Sequence, residues 1–165
     1  ARYVWRHDFQ REFLVAQRKI SVGAEITVEY GDFLKNRDAR QKTLLEKFNF
    51  SCYCDMCTTG YTDEIDEHMF EIRELIDQVP LMAQSNPALA LKMSEKTLRL
   101  MELANVDKPV NTGMVHYDAF QVALASNNKR KAKLHIQKCI GLAYLQEGAG
   151  TPEAKKYKVK LAQLL

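Results

Sequence analysis

The sequence predicts an α+β protein in which strands come first, a cysteine-rich loop follows and helices occupy the rest of the chain. Three observations lead to this fold class. Residues 1–30 contain short segments of alternating or β-branched apolar residues. Three of the four cysteines lie within FNFSCYCDMC, residues 48–57. From residue 63 onward, apolar residues recur at the three- and four-residue spacing of an α-helix.

Three strands are predicted in the first part of the chain. In ARYVWRH, alternation places Tyr3 and Trp5 on one face and Val4 on the other. HDFQ is typical of a turn, and EFLVAQRKI, apolar through its middle, is the second strand. EITVEY, rich in β-branched residues, is the third strand, and Gly31-Asp32 ends it.

Helices are predicted from residue 36 onward, beginning with NRDARQKTLLEKF. The next helix has one apolar face, made of Ile65, Met69, Ile72, Leu75, Ile76 and Val79. A further helix opens at Asn86-Pro87 and runs through Leu89, Met93 and Leu100 to about Ala104. The remaining helices are predicted over GMVHYDAFQVALA, after Asn127-Asn128 and after Thr151-Pro152. Consecutive helices form helix–turn–helix pairs, an architecture similar to tetratricopeptide arrays.

Composition limits the functions that the chain can have. The chain is 46% hydrophobic and 27% charged, so it can bury a core. A net charge of +3 is too small to indicate a nucleic-acid partner, and KRKAK and KKYKVK are interpreted as solvated helix faces. No apolar run approaches the roughly 18 residues that span a membrane, so no membrane partner is predicted. Because Ala1 opens directly into strand-like sequence, we expect the chain to be part of a longer polypeptide.

The cysteine cluster is the strongest chemical signal in the sequence. Cys52, Cys54 and Cys57 place three sulfurs on one short loop, and zinc prefers four tetrahedral ligands. Such a loop predicts a zinc site that needs a further ligand, while a redox pair or three inert thiols are the alternatives. Cys139 lies on an apolar helix face and is interpreted as a small core residue. The four histidines, His7, His68, His116 and His135, are interpreted as surface or satisfied side chains rather than ligands.

These segments resemble a known family of enzymes. GAEITVEYGD, a helix ending in RQKTLLEKF, and NFSCYCDMC are similar to the second half of a SET domain with its post-SET zinc loop. SET domains are the lysine methyltransferase fold. The segments YDAFQVALASNNKRKA and EGAGTPEAKKY resemble the helical tail of the SET-and-MYND-like subgroup. The resemblance implies two domains, residues 1–60 with the half SET domain and zinc loop, and residues 61–165 with a tetratricopeptide-like domain.

The resemblance also implies a role for each site residue. Tyr30 matches the catalytic tyrosine, Phe50 the aromatic residue that packs on the adenine of S-adenosylmethionine, and Phe48 a residue lining the channel for the substrate lysine. Cys52, Cys54 and Cys57 match the zinc ligands. The fourth zinc cysteine of the family lies in an Asn-His-Ser-Cys segment, which would precede Ala1. Ala24 stands where the family usually has Glu, while Glu25 remains, and this departure concerns local turn contacts.

The implied function is S-adenosylmethionine-dependent methylation of a lysine in a protein substrate, histone or non-histone, in the nucleus or cytoplasm. The upstream half of the SET domain would complete the cofactor and zinc sites, so this chain alone is expected to be inactive. The alternative interpretation is a catalytically inactive, zinc-stapled helical scaffold for protein–protein interaction.

Overall fold

A computed structural model describes residues 1–7, 9–30, 34–58, 62–147 and 151–164. The helices and strands are β1 (Arg2–Arg6), β2 (Arg11–Val15), α1 (Arg37–Phe48), a 3₁₀ turn (Asp55–Cys57), α2 (Asp63–Ser85), α3 (Pro87–Leu103), α4 (Pro109–Ala125), α5 (Lys129–Glu147) and α6 (Pro152–Ala162). The described chain is therefore mostly helical with one two-stranded sheet, which agrees with the predicted α+β class. The SET arrangement of strands stays a prediction.

The chain forms two compact units. The hairpin unit contains Ala1–Glu29 and Lys108–Leu165, and the cysteine-loop unit contains Tyr30–Asp107. These units are defined by contacts, whereas the predicted domains, 1–60 and 61–165, follow the resemblance to a family. That domain division stays a prediction, and its boundary at Gly60 lies outside the described residues.

The hairpin formed by β1 and β2 has the alternation that the sequence predicts. The strands are antiparallel, with Tyr3 opposite Leu14 and Trp5 opposite Glu12. Val4 is buried, whereas Tyr3 and Trp5 are exposed on the other face. The predicted turn over residues 7–10 joins the strands, although its Asp8 lies outside the described residues.

The predicted third strand is wrong. Residues 25–30 have irregular backbone, and no described strand pairs with them. Since β propensity mainly reflects how a side chain fits an existing sheet, β-branched residues cannot make a strand without a partner. The segment is instead held to the hairpin unit by an ion pair of 3.7 Å between Glu29 and Lys108. The predicted end of this strand, Gly31-Asp32, lies outside the described residues.

The hairpin is fastened to the C-terminal end of α5. Arg2 donates to the side-chain oxygen of Gln146 at 2.7 Å, and Arg6 donates to the carbonyl of Glu147 at 3.1 Å. Gln17 donates to the carbonyl of Leu145 at 3.3 Å. The last carbonyls of a helix have no partner within the helix, so Arg6 and Gln17 satisfy groups that otherwise depend on water.

The helix boundaries largely follow the capping signals in the sequence. Asn86 caps α3 by accepting a hydrogen bond from the Leu89 amide, with Pro87 in the first turn. Thr151 caps α6 in the same way, with Pro152 in its first turn. The predicted helix at Gly113 begins earlier, at Pro109, because proline is also favoured in a first helical turn.

Two helix pairs, α2 with α3 and α4 with α5, account for most of the helical packing. The predicted face of α2 is confirmed at its centre, where Met69, Ile72, Leu75 and Val79 are buried. The helix predicted through Leu89, Met93 and Leu100 is α3, in which Leu100 is buried and Leu89 is exposed. The likeness to tetratricopeptide repeats stays a prediction. Among the described residues, no helix combines the length and the apolar character needed to cross a membrane.

Candidate metal and aromatic site

The cysteine loop begins where α1 ends. Phe48 is the last residue of α1, and Asn49 adopts a left-handed conformation with φ of 57° while its amide donates to the Leu45 carbonyl. Asparagine tolerates this conformation, which turns the chain sharply away from the helix axis. Phe50 and Cys52 then follow within three residues of the turn.

The three clustered cysteines come together as the sequence predicts. The Sγ atoms of Cys52, Cys54 and Cys57 all lie within 4.8 Å of one another. A tetrahedral zinc site with bonds of about 2.3 Å separates its sulfurs by about 3.8 Å, so the cluster is close to the spacing that zinc requires. All three thiols are free, and the disulfide of the redox alternative is not formed between these described residues. The donor set therefore fits a thiophilic ion such as zinc, with three of its four ligands.

Two side chains of α1 hold the backbone of the cysteine loop. The amide group of Gln41 donates to the Cys52 carbonyl at 2.7 Å and accepts from the Cys52 amide at 2.9 Å. Arg40 donates to the Met56 carbonyl at 2.5 Å and to the Lys35 carbonyl at 2.6 Å. Sequence reasoning missed both residues, because a polar residue on a helix carries no sign of a loop contact.

The thiols differ in how readily they lose a proton. Burial raises the pKa of Cys54 to about 11, and its hydrogen bonds to Cys52 and Cys57 act in the same direction. At Cys52 burial also acts to raise the pKa, but hydrogen bonds from Cys54 and Cys57 and the nearby charge of Arg40 outweigh it, so the pKa is lowered. Since the thiolate is the form that binds metal, Cys52 is more ready than Cys54 to bind an ion.

The three predicted aromatic site residues meet in one cluster. The ring centre of Tyr30 lies 5.2 Å from that of Phe48 and 5.4 Å from that of Phe50, in edge-to-face geometry. Phe48 and Phe50 are 6.5 Å apart. Tyr30 is 52% exposed and Phe48 is 47% exposed, so the cluster presents an open aromatic surface. The structure thus brings these residues together, while the role of each stays a prediction.

Cys139, His116 and His135 lie on α4 and α5, outside the cysteine loop and the aromatic cluster. Cys139 is buried as predicted, and burial raises the pKa of its thiol to about 12. His116 and His135 face each other across α4 and α5 with their Nδ1 atoms 3.0 Å apart. Sequence reasoning did not predict this pairing, since the two histidines are nineteen positions apart.

Comparison with known proteins supports the predicted resemblance. No protein-family model matches the chain. The chain is 39% identical over 57 residues to Histone-lysine N-methyltransferase set5 of Schizosaccharomyces pombe, covering 34% of this chain and 18% of that protein. It is 28% identical over 112 residues to Histone-lysine N-methyltransferase Smyd1 of Mus musculus, covering 67% of this chain and 20% of that protein.

A further relative indicates which subgroup of SET-domain proteins the chain resembles. Over 49 residues the chain is 39% identical to SET domain and MYND-type zinc finger protein 6 of Schizosaccharomyces pombe, covering 30% of this chain and 10% of that protein. The class to which the chain is similar is therefore that of SET-domain proteins. Within that class the resemblance is to the SET-and-MYND-like subgroup, as predicted. The chain spans about a fifth or less of the length of these relatives.

Proposed function

We propose that this chain is part of an S-adenosylmethionine-dependent protein-lysine methyltransferase. The observation that carries the proposal is the meeting of Tyr30, Phe48 and Phe50 in one aromatic cluster, with Phe50 two residues before the three-cysteine loop. Relatives named as histone-lysine N-methyltransferases support a methyltransferase-related role at the level of the family.

The proposed reaction needs a neutral lysine amine. A free lysine has a pKa near 10.4, so only about one in 2,500 is neutral at pH 7. Aromatic walls such as Phe48 exclude water from the ammonium group and thereby favour its deprotonation. The Tyr30 hydroxyl can orient the amine through a hydrogen bond, which restricts it to the geometry of attack.

Phe50 is the proposed contact for the cofactor. When bound, S-adenosylmethionine supplies the electrophilic methyl group. Phe50 is half-buried, and its ring offers a flat apolar surface on which a purine can stack. In this proposal Phe50 contributes to cofactor affinity, and Tyr30 orients the amine.

Zinc is the proposed structural ion of the loop. Cys52, Cys54 and Cys57 would hold it, with a fourth cysteine from the segment that precedes residue 1 in the complete protein. Structural zinc contributes about 10–16 kcal/mol in small domains, enough to fix a short loop. Because one residue separates Phe50 from Cys52, fixing the loop also fixes the proposed cofactor contact.

The proposed partners follow from this chemistry. The substrate is a protein that presents a lysine, histone or non-histone, and the upstream half of the SET domain completes the cofactor and zinc sites. A nuclear or cytoplasmic location is compatible with such substrates. Direct binding of nucleic acid or membrane is not part of the proposal.

The experiment is methylation of a lysine-containing protein by the full-length enzyme and its Tyr30→Phe variant. Removing the hydroxyl is expected to lower turnover by roughly 10²–10³, or about 2.7–4 kcal/mol, with little change in cofactor affinity. Tyr53→Phe is the matched control, since Tyr53 lies on the cysteine loop but is 82% exposed, and its turnover should not change.

Two results would contradict the proposal. Normal turnover of the Tyr30→Phe variant would remove Tyr30 from the mechanism. Failure of the full-length wild-type protein to bind S-adenosylmethionine in a calorimetric titration would favour the scaffold interpretation instead.

A further inference from the structure

Helices α4, α5 and α6 line a partly open cavity within the hairpin unit, which we call the α4–α6 pocket. Its volume is about 300 Å³, and its apolar walls include Val110, Met114 and Leu142. Gly113 also lines it, and a Cβ atom there would lie 3.1 Å from Nε2 of Gln146. A larger residue at position 113 would therefore press on Gln146, another residue of the wall.

Two tyrosines and two carboxylates provide the polar character of the α4–α6 pocket. The rings of Tyr117 and Tyr157 both line it, with centres 5.4 Å apart and planes tilted by 39°. Glu147 and Glu153 line it as well, and the Tyr157 hydroxyl is hydrogen-bonded to Glu153. None of the described residues that line the pocket is a lysine or an arginine. Aromatic faces combined with carboxylates favour a cation.

Two lysines of the chain itself lie beside these rings, and the Nζ atom of Lys160 is 5.8 Å from the ring centre of Tyr117. The Nζ atom of Lys156 is 5.5 Å from the ring centre of Tyr117 and 5.9 Å from that of Tyr157. It also lies 3.4 Å from Oε1 of Glu153. The Lys156 side chain is 52% exposed, so it can move into solvent without losing a buried position. Lys156 is not one of the residues that line the pocket, so its charge lies beside a cation bound to the same rings and repels it.

We propose that the α4–α6 pocket binds a methylated ammonium group carried on an apolar stem. A quaternary ammonium has no N–H groups to satisfy, so apolar walls and aromatic faces suit it better than they suit a primary amine. Cys139 forms part of the wall as a buried, protonated thiol, which adds a neutral surface. This inference does not depend on the proposed methyltransferase site, because it uses none of its residues.

The same chemistry has two sources, a trimethylated lysine side chain of a protein and a free small cation such as choline. Calorimetric or NMR titration of the full-length protein separates them with four probes. These probes are a trimethyl-lysine peptide, the same peptide with unmodified lysine, choline, and 3,3-dimethylbutanol, the neutral isostere of choline. The proposal expects one or both methylated cations to bind, and the neutral isostere and unmodified peptide to bind at least about threefold more weakly.

Variants of the pocket sharpen the test. Tyr157→Leu is expected to weaken binding of the preferred cation about three- to tenfold, because one aromatic face is lost. Lys156→Ala is expected to tighten binding, since a positive charge beside both rings is removed. Lys155→Ala is the matched control, an exposed lysine one position earlier on α6, and it should leave binding unchanged. Far-UV circular dichroism verifies that each variant is folded.

Each outcome of these titrations supports or overturns the proposed binding of a methylated cation. Binding of choline alone assigns a free cation, and binding of the trimethyl-lysine peptide alone assigns a protein ligand. Equal binding of the neutral isostere overturns the proposal. So does the absence of binding at millimolar concentration by both the wild-type protein and Lys156→Ala, because the latter removes the lysine that lies over both rings.

Discussion

At the scale of the residue, Phe50 joins the aromatic cluster to the cysteine loop. Its ring contacts Tyr30, and its backbone leads through Ser51 directly to Cys52. Substitutions of Tyr30 and of Phe50 are therefore expected to affect different properties of the enzyme. Tyr30 has a hydroxyl that is proposed to orient the amine, so its loss should lower the turnover rate. Phe50 has only an apolar ring, so its loss should weaken the binding of the cofactor.

The first residue-scale prediction concerns Phe50→Ala. If the ring stacks on adenine, the variant should weaken binding of S-adenosylmethionine by about 1–3 kcal/mol, the usual range for an aromatic stacking contact. Phe70→Ala is a suitable control because Phe70 is an exposed phenylalanine of the same compact unit. Calorimetry on the full-length protein measures both variants, and equal affinities would rule out Phe50 as the cofactor contact.

The second residue-scale prediction uses His116. Burial, followed by the charges of His135 and Lys138, lowers the pKa of His116 from 6.5 to about 4. Between these two values the unfolded chain binds the proton more readily than the folded chain, so stability is lost as the pH falls from about 6.5 towards 4. The slope is at most about 1.4 kcal/mol per pH unit, and less because His116 is partly exposed.

Thermal unfolding of wild type and of His116→Gln between pH 4 and pH 7 tests this expectation. The wild-type midpoint should fall as the pH is lowered, and the variant should fall less steeply. Parallel curves would show that the acid sensitivity comes from other groups.

At the scale of the element, α1 supports the cysteine loop through Gln41. Both backbone groups of Cys52 are bound by the one Gln41 side chain. Replacing Gln41 with Ala leaves these groups to water, which is expected to cost about 1–3 kcal/mol, two net hydrogen bonds at their usual value. The loss should show as weaker zinc binding by the full-length protein in a competition titration with a chelator.

Lys42→Ala provides the control for the Gln41 prediction. Lys42 is the next residue of α1, and its ion pair with Glu46 is long, 3.9 Å, and largely exposed, so little stability depends on it. If Lys42→Ala and Gln41→Ala reduce zinc affinity equally, the effect belongs to the helix as a whole and not to the contact with the loop.

The elements show why some features could be predicted from the sequence and others could not. The cysteine cluster, the helix caps and the alternation around Val4 are local, because the residues that form them are neighbours along the chain. The predicted strand over residues 25–30 failed because a strand depends on a partner elsewhere. Tyr117 and Tyr157 line one pocket but lie on different helices, so no local pattern could join them.

At the scale of the whole molecule, the cysteine-loop unit is expected to depend on metal. In the full-length protein we predict one zinc per folded chain, held by Cys52, Cys54, Cys57 and one upstream cysteine. Chelation should lower the midpoint of thermal unfolding, because the binding free energy of a structural ion contributes to folding. Elemental analysis with and without chelator measures the stoichiometry.

Cys57→Ser and Cys139→Ser form a matched pair for this prediction, since both residues are buried cysteines. Cys57→Ser should lose the metal. Cys139→Ser should keep it, even if the substitution destabilises the helical packing. Isolation of a metal-free protein with a Cys54–Cys57 disulfide would contradict the zinc site.

The attachment of the hairpin to the end of α5 has a consequence for biosynthesis. The contact between Arg6 and Glu147 joins residues that are 141 positions apart. At a translation rate of about 5–20 residues per second, roughly 7–28 s pass between the synthesis of the two. Throughout that interval the ribosome produces the whole cysteine-loop unit, while Arg2 and Arg6 lack the partners on α5 that they contact in the folded chain. The hairpin thus stays without its helix contacts for at least that long, an interval in which chaperones can bind it.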